Sequence, residues 1–343
     1  MKVLQIIDEL NTGGAERVFV DLTDLLYKSK KIDISILTFE NNGNLHPFLN
    51  KEILKVSFIR KNKFNLFEAY QLSKILKQYD IIHVHMRQVY RYTKIVCIFF
   101  NVQAKLVFHD HYGTISTDKS IPRFFKTILK PKYYIGVSEE LTTWATQKLK
   151  VKNVFILRNI VVQQTNVDKI EKKEGFIIVG NIKPIKNQLF AIRLSAKLNK
   201  KLTIVGKIQD KEYYDILKKE ISTLGIQNKV KFLHNIVNVQ KLLPRFEMGL
   251  MTSISESGPL VLIEYLYQNL PFVAYETGEV AQIIKSDLPF FLINNFDIDK
   301  WLERIGKLEK KDNTIISNTY KKYFNSDDYV NKCIEIYQKI LNV

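Results

Sequence analysis

Short, uninterrupted apolar runs rich in β-branched residues recur along this chain, with stretches of helical period between them. In the first half the runs fall at residues 3–7, 34–39, 56–59, 81–84, 106–108, 134–137 and 154–157, with amphipathic stretches such as 15–26 and 66–78 between several of them. A strand that is apolar without alternation is buried on both faces, which places it in a parallel sheet covered by helices. The pattern restarts in the second half. Strands are expected at 176–179, 202–205, 231–233, 249–251, 272–274 and 290–293, and helices at about 187–199, 210–224, 259–269 and 278–285. Between the halves, residues 161–175 are mostly polar, without apolar periodicity, and read as a linker. The expected architecture is α/β, with two successive sheets whose strand ends supply the ligand site.

Length agrees with two domains. The chain has 343 residues, against roughly 100–200 per domain, which is enough for two full cores without staples. Its two cysteines, Cys97 and Cys333, are far apart and give neither a disulfide framework nor a zinc spacing, so a reducing, cytoplasmic compartment is expected. The opening MKVLQIIDEL turns acidic too early for a signal peptide. The longest apolar stretch, 95–100, is far short of a membrane span. The net charge is +17, and 9 of the 52 basic residues are arginine. Abundant Lys, Ile and Asn are also what an AT-rich genome yields without any function. The excess is uneven, however: residues 51–165 carry +13 and residues 251–300 carry −5. A nucleic-acid partner is not expected, because no DNA- or RNA-binding motif or basic recognition helix accompanies the charge.

Four constellations carry the chemistry. Asn11-Thr12-Gly13-Gly14-Ala15-Glu16-Arg17 follows the first strand and opens a helix. Paired glycines admit a ligand to backbone N–H groups there, and a simple strand–helix turn is the competing reading. Gly180-Asn181-Ile182-Lys183-Pro184-Ile185-Lys186-Asn187 opens the second half in the same way, with Lys183 and Lys186 at a helix start suited to a diphosphate. Ser255-Glu256-Ser257-Gly258-Pro259-Leu260 leads into an apolar helix that carries Glu264. A carboxylate there needs a partner, either a ligand hydroxyl pair or a structural cation. His83-Val84-His85 and His109-Asp110-His111 end two strands, where hydrogen bonding to a substrate is favoured over a metal.

With seven residues between Glu256 and Glu264, the third constellation resembles the E-x7-E signature of retaining GT-B glycosyltransferases, specifically glycosyltransferase family 4. The glycine loop at Gly13-Gly14, the histidine strands, Val137-Ser138, Leu157-Arg158-Asn159 and the Gly180–Asn187 segment follow in that family's order, so the resemblance covers the whole chain. It implies a GT-B fold: two Rossmann-like α/β/α domains facing each other across a cleft. The domains would be an acceptor-binding domain over 1–163, a nucleotide-sugar domain over 164–320 and a final helix over 321–343 packing back on the first. It also implies roles. Glu264 would hold the ribose and Glu256 the transferred hexose. The backbone of Ser257, Gly258, Pro259 and Leu260 would touch sugar and phosphate. Lys186 would neutralise the diphosphate, with Gly13 and Gly14 approaching it. His109 would lie by the reacting centre, with His111 as runner-up and His85 close by. Asn181 departs from the family's arginine, and a neutral amide cannot replace a charged fork, so Lys183 is the candidate to compensate. His234 stands where the family commonly has glycine, near the expected base pocket.

The implied activity is retaining transfer of a hexose from a nucleotide diphosphate sugar, UDP before GDP, to a glycan or lipid-linked acceptor in bacterial surface polysaccharide or glycoconjugate synthesis. No cofactor or metal is expected, since lysine and helix N–H groups stabilise the departing diphosphate and no D-x-D triplet ends a strand. The alternative is an inactive GT-B subunit that binds sugar nucleotide or regulates a partner. The basic stretch adds a further expectation. On a helix, Phe124, Phe125, Ile128 and Leu129 would share one face edged by lysines, suited to the inner face of an anionic membrane, with residues 60–64 contributing.

Overall fold

The computed structural model describes all residues except 41, 42, 63, 163–173, 309–312 and 343. Most of the linker expected at 161–175 therefore lies outside the described residues. The chain forms two compact units: residues 1–160 with 326–343, and residues 161–325.

The first unit is built from β1 (Lys2–Ile7), α1 (Gly14–Ser29), β2 (Asp33–Thr38), β3 (Leu54–Lys55), α2 (Leu66–Leu76), β4 (Ile81–His85), α3 (Arg87–Phe99), β5 (Lys105–Asp110), β6 (Tyr133–Gly136), α4 (Glu139–Gln147) and β7 (Asn153–Ile156). The second contains β8 (Glu174–Val179), α5 (Gln188–Leu198), β9 (Leu202–Val205), α6 (Lys211–Thr223), β10 (Val230–Leu233), β11 (Phe246–Met251), α7 (Leu260–Tyr267), β12 (Phe272–Tyr275), α8 (Gly278–Ile284), β13 (Leu292–Ile293), α9 (Ile298–Leu308) and α10 (Thr314–Tyr323). The last helix, α11 (Ser326–Leu341), returns to the first unit, where Tyr329, Cys333 and Tyr337 join a core with Leu22, Leu26 and Val3.

Both sheets are parallel, in the orders β3-β2-β1-β4-β5-β6-β7 and β10-β9-β8-β11-β12-β13. In each, strand order reverses beside the unit's first strand: β1 lies between β2 and β4, and β8 between β9 and β11. Loops leaving the carboxyl ends at such a reversal diverge to opposite sides and leave a crevice, the usual ligand position in open α/β sheets.

Three expected elements differ. The strand expected at 56–59 ends at Lys55, because the chain leaves the ladder to bury Phe58 against Phe39, with ring centroids 5.9 Å apart. The strand expected at 290–293 keeps two residues, because Pro289 starts a 3-10 turn over Pro289–Phe291. The amphipathic helix expected at 122–132 is absent. Pro122 and Pro131 bracket the segment, which makes one 3-10 turn over Arg123–Lys126. Phe125 turns inward onto Phe108 (5.6 Å) while Ile128 is 76% exposed, so they share no face. Arg60 also departs from its expected place on a basic surface: it bonds Asp8 (3.0 Å) and stacks on Phe39.

Candidate active site

In the second unit the crevice is formed by the loops after β8 and β11. Gly180 leaves β8 with φ +159, and the Lys186 side chain packs against its open face. A 3-10 turn over Pro184–Lys186 then delivers the chain to Asn187, whose left-handed backbone (φ +49) starts α5. Thr252, just past β11, donates its hydroxyl hydrogen to the carbonyls of Lys186 (3.0 Å) and Asn187 (2.9 Å), and Ile254 N–H donates to Ile185 O (2.8 Å). The two loops are thereby tied together through backbone.

Across that seam Lys186 Nζ and Glu256 Oε1 form an ion pair, their side chains 21% and 11% exposed. Partial burial makes each charge depend on the other, since desolvation is costly for either alone. Lys183 stands in the same field. Burial pushes its pKa below the usual lysine value, the Lys186 charge adds to this, and Glu256 opposes. Asn181 Oδ1 accepts from Lys207 N–H (3.3 Å), bracing the loops after β8 and β9. The cationic groups placed beside Glu256 are thus the two lysines. Gly206 belongs to the same brace, because a Cβ there would stand 2.1 Å from Gly180 O. Gly206→Ala is expected to cost about 2 kcal/mol of stability through backbone displacement, read as a lower urea midpoint at unchanged m-value.

Glu256 N–H is bonded to Thr277 Oγ1 (3.3 Å), and Glu279 N–H donates to Ser257 O (2.7 Å), so the loop after β12 supports the loop after β11. Gly278 is needed at this contact: its φ is +79, and a Cβ would meet Pro259 Cδ at 2.8 Å. Pro259 caps α7 and Leu260 begins it, with N–H groups of the first turn lacking helical acceptors. Glu264 is half-buried one turn further on. Burial, and then the Glu264 carboxylate, push the adjacent Tyr265 phenol above its ordinary range. His234, past β10, donates Nδ1–H to Gly206 O (2.7 Å), and its ring lies beside the Phe232 and Tyr214 rings.

In the first unit the strand-end histidines form a buried stack. His83 and His85 lie on one face of β4, and the register sets His85 against His109 on β5. Ring centroids are 4.5 Å apart for His83–His85, 5.2 Å for His85–His111 and 4.2 Å for His109–His111. The hydrogen bonds run in two rows. In one, Tyr337 bonds the Cys333 thiol and its oxygen accepts from His83 Nδ1–H (2.6 Å), while His83 Nε2 accepts from His109 Nδ1–H (3.1 Å). In the other, Gln5 Oε1 accepts from His85 Nε2–H (3.1 Å), and His85 Nδ1 accepts from His111 Nε2–H (3.0 Å). Each row ends in an imidazole lone pair. That of His109 Nε2 is buried without a hydrogen-bond partner, a costly state that a donor hydroxyl would relieve. Burial pushes the His83 pKa down to about 3, and burial followed by the neighbouring rings drives His85 and His109 well below the histidine range. His83, His85 and His109 bring one ring nitrogen each within 4.8 Å of one another. Imidazole alone suits zinc or copper rather than magnesium, but the facing nitrogens already bond neighbouring rings.

Over the Gly13-Gly14 turn the structure places a carboxylate. Glu16, in the first turn of α1, folds back so that a Cβ on Gly13 would lie 2.2 Å from its Oε2. The turn therefore holds an anionic side chain at the helix start. Residues that sequence reasoning missed are Thr252, Thr277, Gln5 and Tyr337. The signal for Tyr337 was available: it repeats the helical spacing of Tyr329 and Cys333 on the buried face of α11.

Residues 162–323 match the family model described as glycosyl transferases group 1. Among curated proteins, the chain is 27% identical over 293 residues to a Campylobacter jejuni α-1,4-N-acetyl-D-galactosaminyltransferase acting on a GalNAc-containing diphospho-undecaprenol, covering 78% of this chain and 77% of that one. It is 24% identical over 340 residues to the Staphylococcus aureus capsular polysaccharide biosynthesis glycosyltransferase CapH, covering 90% of each. Among solved structures, Anabaena HepE in complex with UDP and glucose superposes with a TM-score of 0.82 at 18% identity, covering 98% and 99%. The lipopolysaccharide outer core galactosyltransferase WaaB matches at 0.72 and 18% identity, covering 99% of each.

Proposed function

We propose that this chain, whose residues 162–323 match the glycosyl transferases group 1 model and which has the GT-B fold, is a glycosyltransferase of glycan assembly that transfers a hexose-type sugar from a UDP-sugar, with retention, to a glycan or lipid-linked acceptor. The observation that carries this reading is the Lys186–Glu256 pair at the reversal of the second sheet. A donor's diphosphate takes Lys186 from Glu256, and Lys183 adds a second charge. Glu256, released, accepts hydrogen bonds from the sugar hydroxyls. Glu264 accepts from the ribose, and the first-turn N–H groups of α7, with the Ser257-Gly258 backbone before it, face sugar and phosphate.

As the sugar–phosphate bond breaks, negative charge grows on the diphosphate and positive charge on the anomeric carbon. Fixed cations and helix N–H groups stabilise the first without a metal ion. In the first unit, His109 Nε2 is free to accept a hydrogen bond from a substrate hydroxyl, and His85 and His111 hold the neighbouring row. On this reading the acceptor attacks on the face the leaving group departs from. A product of inverted anomeric configuration would rule this route out.

A panel of UDP-, GDP- and ADP-sugars in a thermal-shift assay tests the donor reading. A UDP-sugar is expected to raise Tm most, and Glu264→Ala is expected to abolish that rise, measured against the variant's own unliganded Tm. An equal rise for all three donors, or a rise that survives Glu264→Ala, would refute it.

A further inference from the structure

We infer that Tyr337, on the returning helix α11, is a positioning residue for His109: through His83 it fixes which nitrogen of the His109 ring carries the proton and keeps Nε2 an acceptor. The inference deepens the proposed function, because it rests on His109 Nε2 taking a hydrogen bond from a substrate hydroxyl. A neutral imidazole has one N–H, and the hydrogen bond made by one nitrogen decides the state of the other. His83 and His109 are fully buried and held neutral. Their facing nitrogens, His83 Nε2 and His109 Nδ1, lie 3.1 Å apart and share one hydrogen. Two arrangements satisfy that contact. In one, His109 donates and keeps a lone pair on Nε2. In the other, His83 donates and His109 carries Nε2–H, which offers a substrate hydroxyl no acceptor. The two rings alone do not choose between them.

The choice is made at the far end of the row. His83 Nδ1 lies 2.6 Å from the Tyr337 oxygen, and both side chains are fully buried, so the row is closed to solvent at this end. The Tyr337 hydroxyl donates to Cys333 Sγ, four residues earlier on the same buried face of α11. With its hydrogen engaged there, the phenol oxygen offers His83 only lone pairs. His83 must then donate from Nδ1, which leaves Nε2 bare to accept the His109 Nδ1–H. His109 Nε2 is left with a lone pair, and that atom is the buried end of the row without a hydrogen-bond partner. Packing holds the phenol in place: its ring stands edge-on to His83 at 82°, centroids 5.7 Å apart, in a core with Leu22 and Leu26. The second row runs from Gln5 through His85 to His111, without Tyr337, and supplies an internal control.

Long-range 1H–15N spectra of the full, unliganded chain with 15N-labelled histidine separate protonated from bare ring nitrogens, and His83→Asn and His109→Asn identify the two rings by the signals they lose. The parent is expected to show His109 protonated at Nδ1 and bare at Nε2. Tyr337→Phe removes the acceptor, so His83 moves its proton to Nε2 to avoid a buried orphan N–H. Both rings should then change tautomer while His85 and His111 keep theirs. Turnover, read as UDP released from the UDP-sugar of largest thermal shift, should fall about 10²-fold in kcat, with KM within about threefold. Two cysteine variants separate this from packing damage. Cys333→Ala frees the Tyr337 hydrogen to bond His83 Nδ1 and should give the same reversal. Cys333→Ser restores an acceptor for that hydrogen, and should restore the parental tautomers and most of the kcat that Cys333→Ala loses. A parent His109 protonated at Nε2, unchanged tautomers in Tyr337→Phe or Cys333→Ala, or equal kcat in the two cysteine variants would overturn the inference. Reversed tautomers with parental kcat would show that His109 Nε2 takes no substrate hydroxyl, which is a failure of the proposed function and not of the tautomer assignment.

Discussion

Lys186→Ala is expected to lower kcat/KM for the donor by about 10²–10³, the range for removing one preorganised group from a developing oxyanion. Most of the loss should fall on kcat, because the diphosphate gains charge as the bond breaks. The substitution does two things at once: it removes the cation and strands Glu256, which is largely buried and pairs with Lys186. Glu256→Gln separates them. The single amide variant should keep the diphosphate contact and lose part of the sugar contact. If Lys186 acts on the phosphate itself, the double variant remains as slow as Lys186→Ala. If the loss came from the stranded carboxylate, Glu256→Gln would rescue Lys186→Ala. Lys183→Ala should cost less, since Asn181 is held by Lys207 N–H and the remaining charge beside Glu256 is Lys186. A Lys186→Ala enzyme within about threefold of the parent would sink the assignment.

Acidification is expected to destabilise the first unit steeply. His83, His85 and His109 are fully buried and held neutral, with pKa values depressed by burial. The unfolded chain protonates these residues near the ordinary histidine value of about 6.5. Folded pKa values lie below the unfolded ones, so the stabilisation is complete above about 6.5 and is lost as pH falls from there toward the folded values. Three such residues cost about 4 kcal/mol between pH 7.5 and 5.5, a large share of the ~5–15 kcal/mol typical of a domain. Urea unfolding across this window should show proton uptake on unfolding that rises from well under one at pH 7.5 to nearly three at pH 5.5. Carboxylates titrate mostly below it. His83→Asn with His109→Asn should flatten the slope, whereas a parent protein equally stable at pH 7.5 and 5.5 would show that the stack is not held neutral.

Much of the fold was legible because buried parallel strands leave a plain trace. β8 and β9 read as unbroken apolar runs because helices cover both faces of the second sheet. The segment at 122–132 shows the limit. Its apolar residues have helical spacing, yet Phe125 gains more by filling the space beside Phe108 than by sharing an outward face with Ile128. Proline at both ends leaves too little chain for a helix to resist. The large exposed apolar side chains stand instead on α2 and α3, whose outward residues the sequence could not assign to solvent or to a neighbour.

By itself the sequence determined the class of fold, two successive parallel sheets, and the residue types at each strand end: glycines, lysines, paired glutamates and histidines. Those follow from short-range rules, the period of apolar residues and the backbone demands of turns. Only the tertiary structure decided who bonds to whom. Glu256 lies 70 positions from Lys186 and Tyr337 lies 254 from His83, and both contacts exist because parallel topology and the return of α11 close long loops. The structure also decided that Asn181 Oδ1 braces the loop after β9 and that Glu16 covers the Gly13 turn. Each of these turns on which way a side chain points, and that is set by the packing of elements distant in sequence.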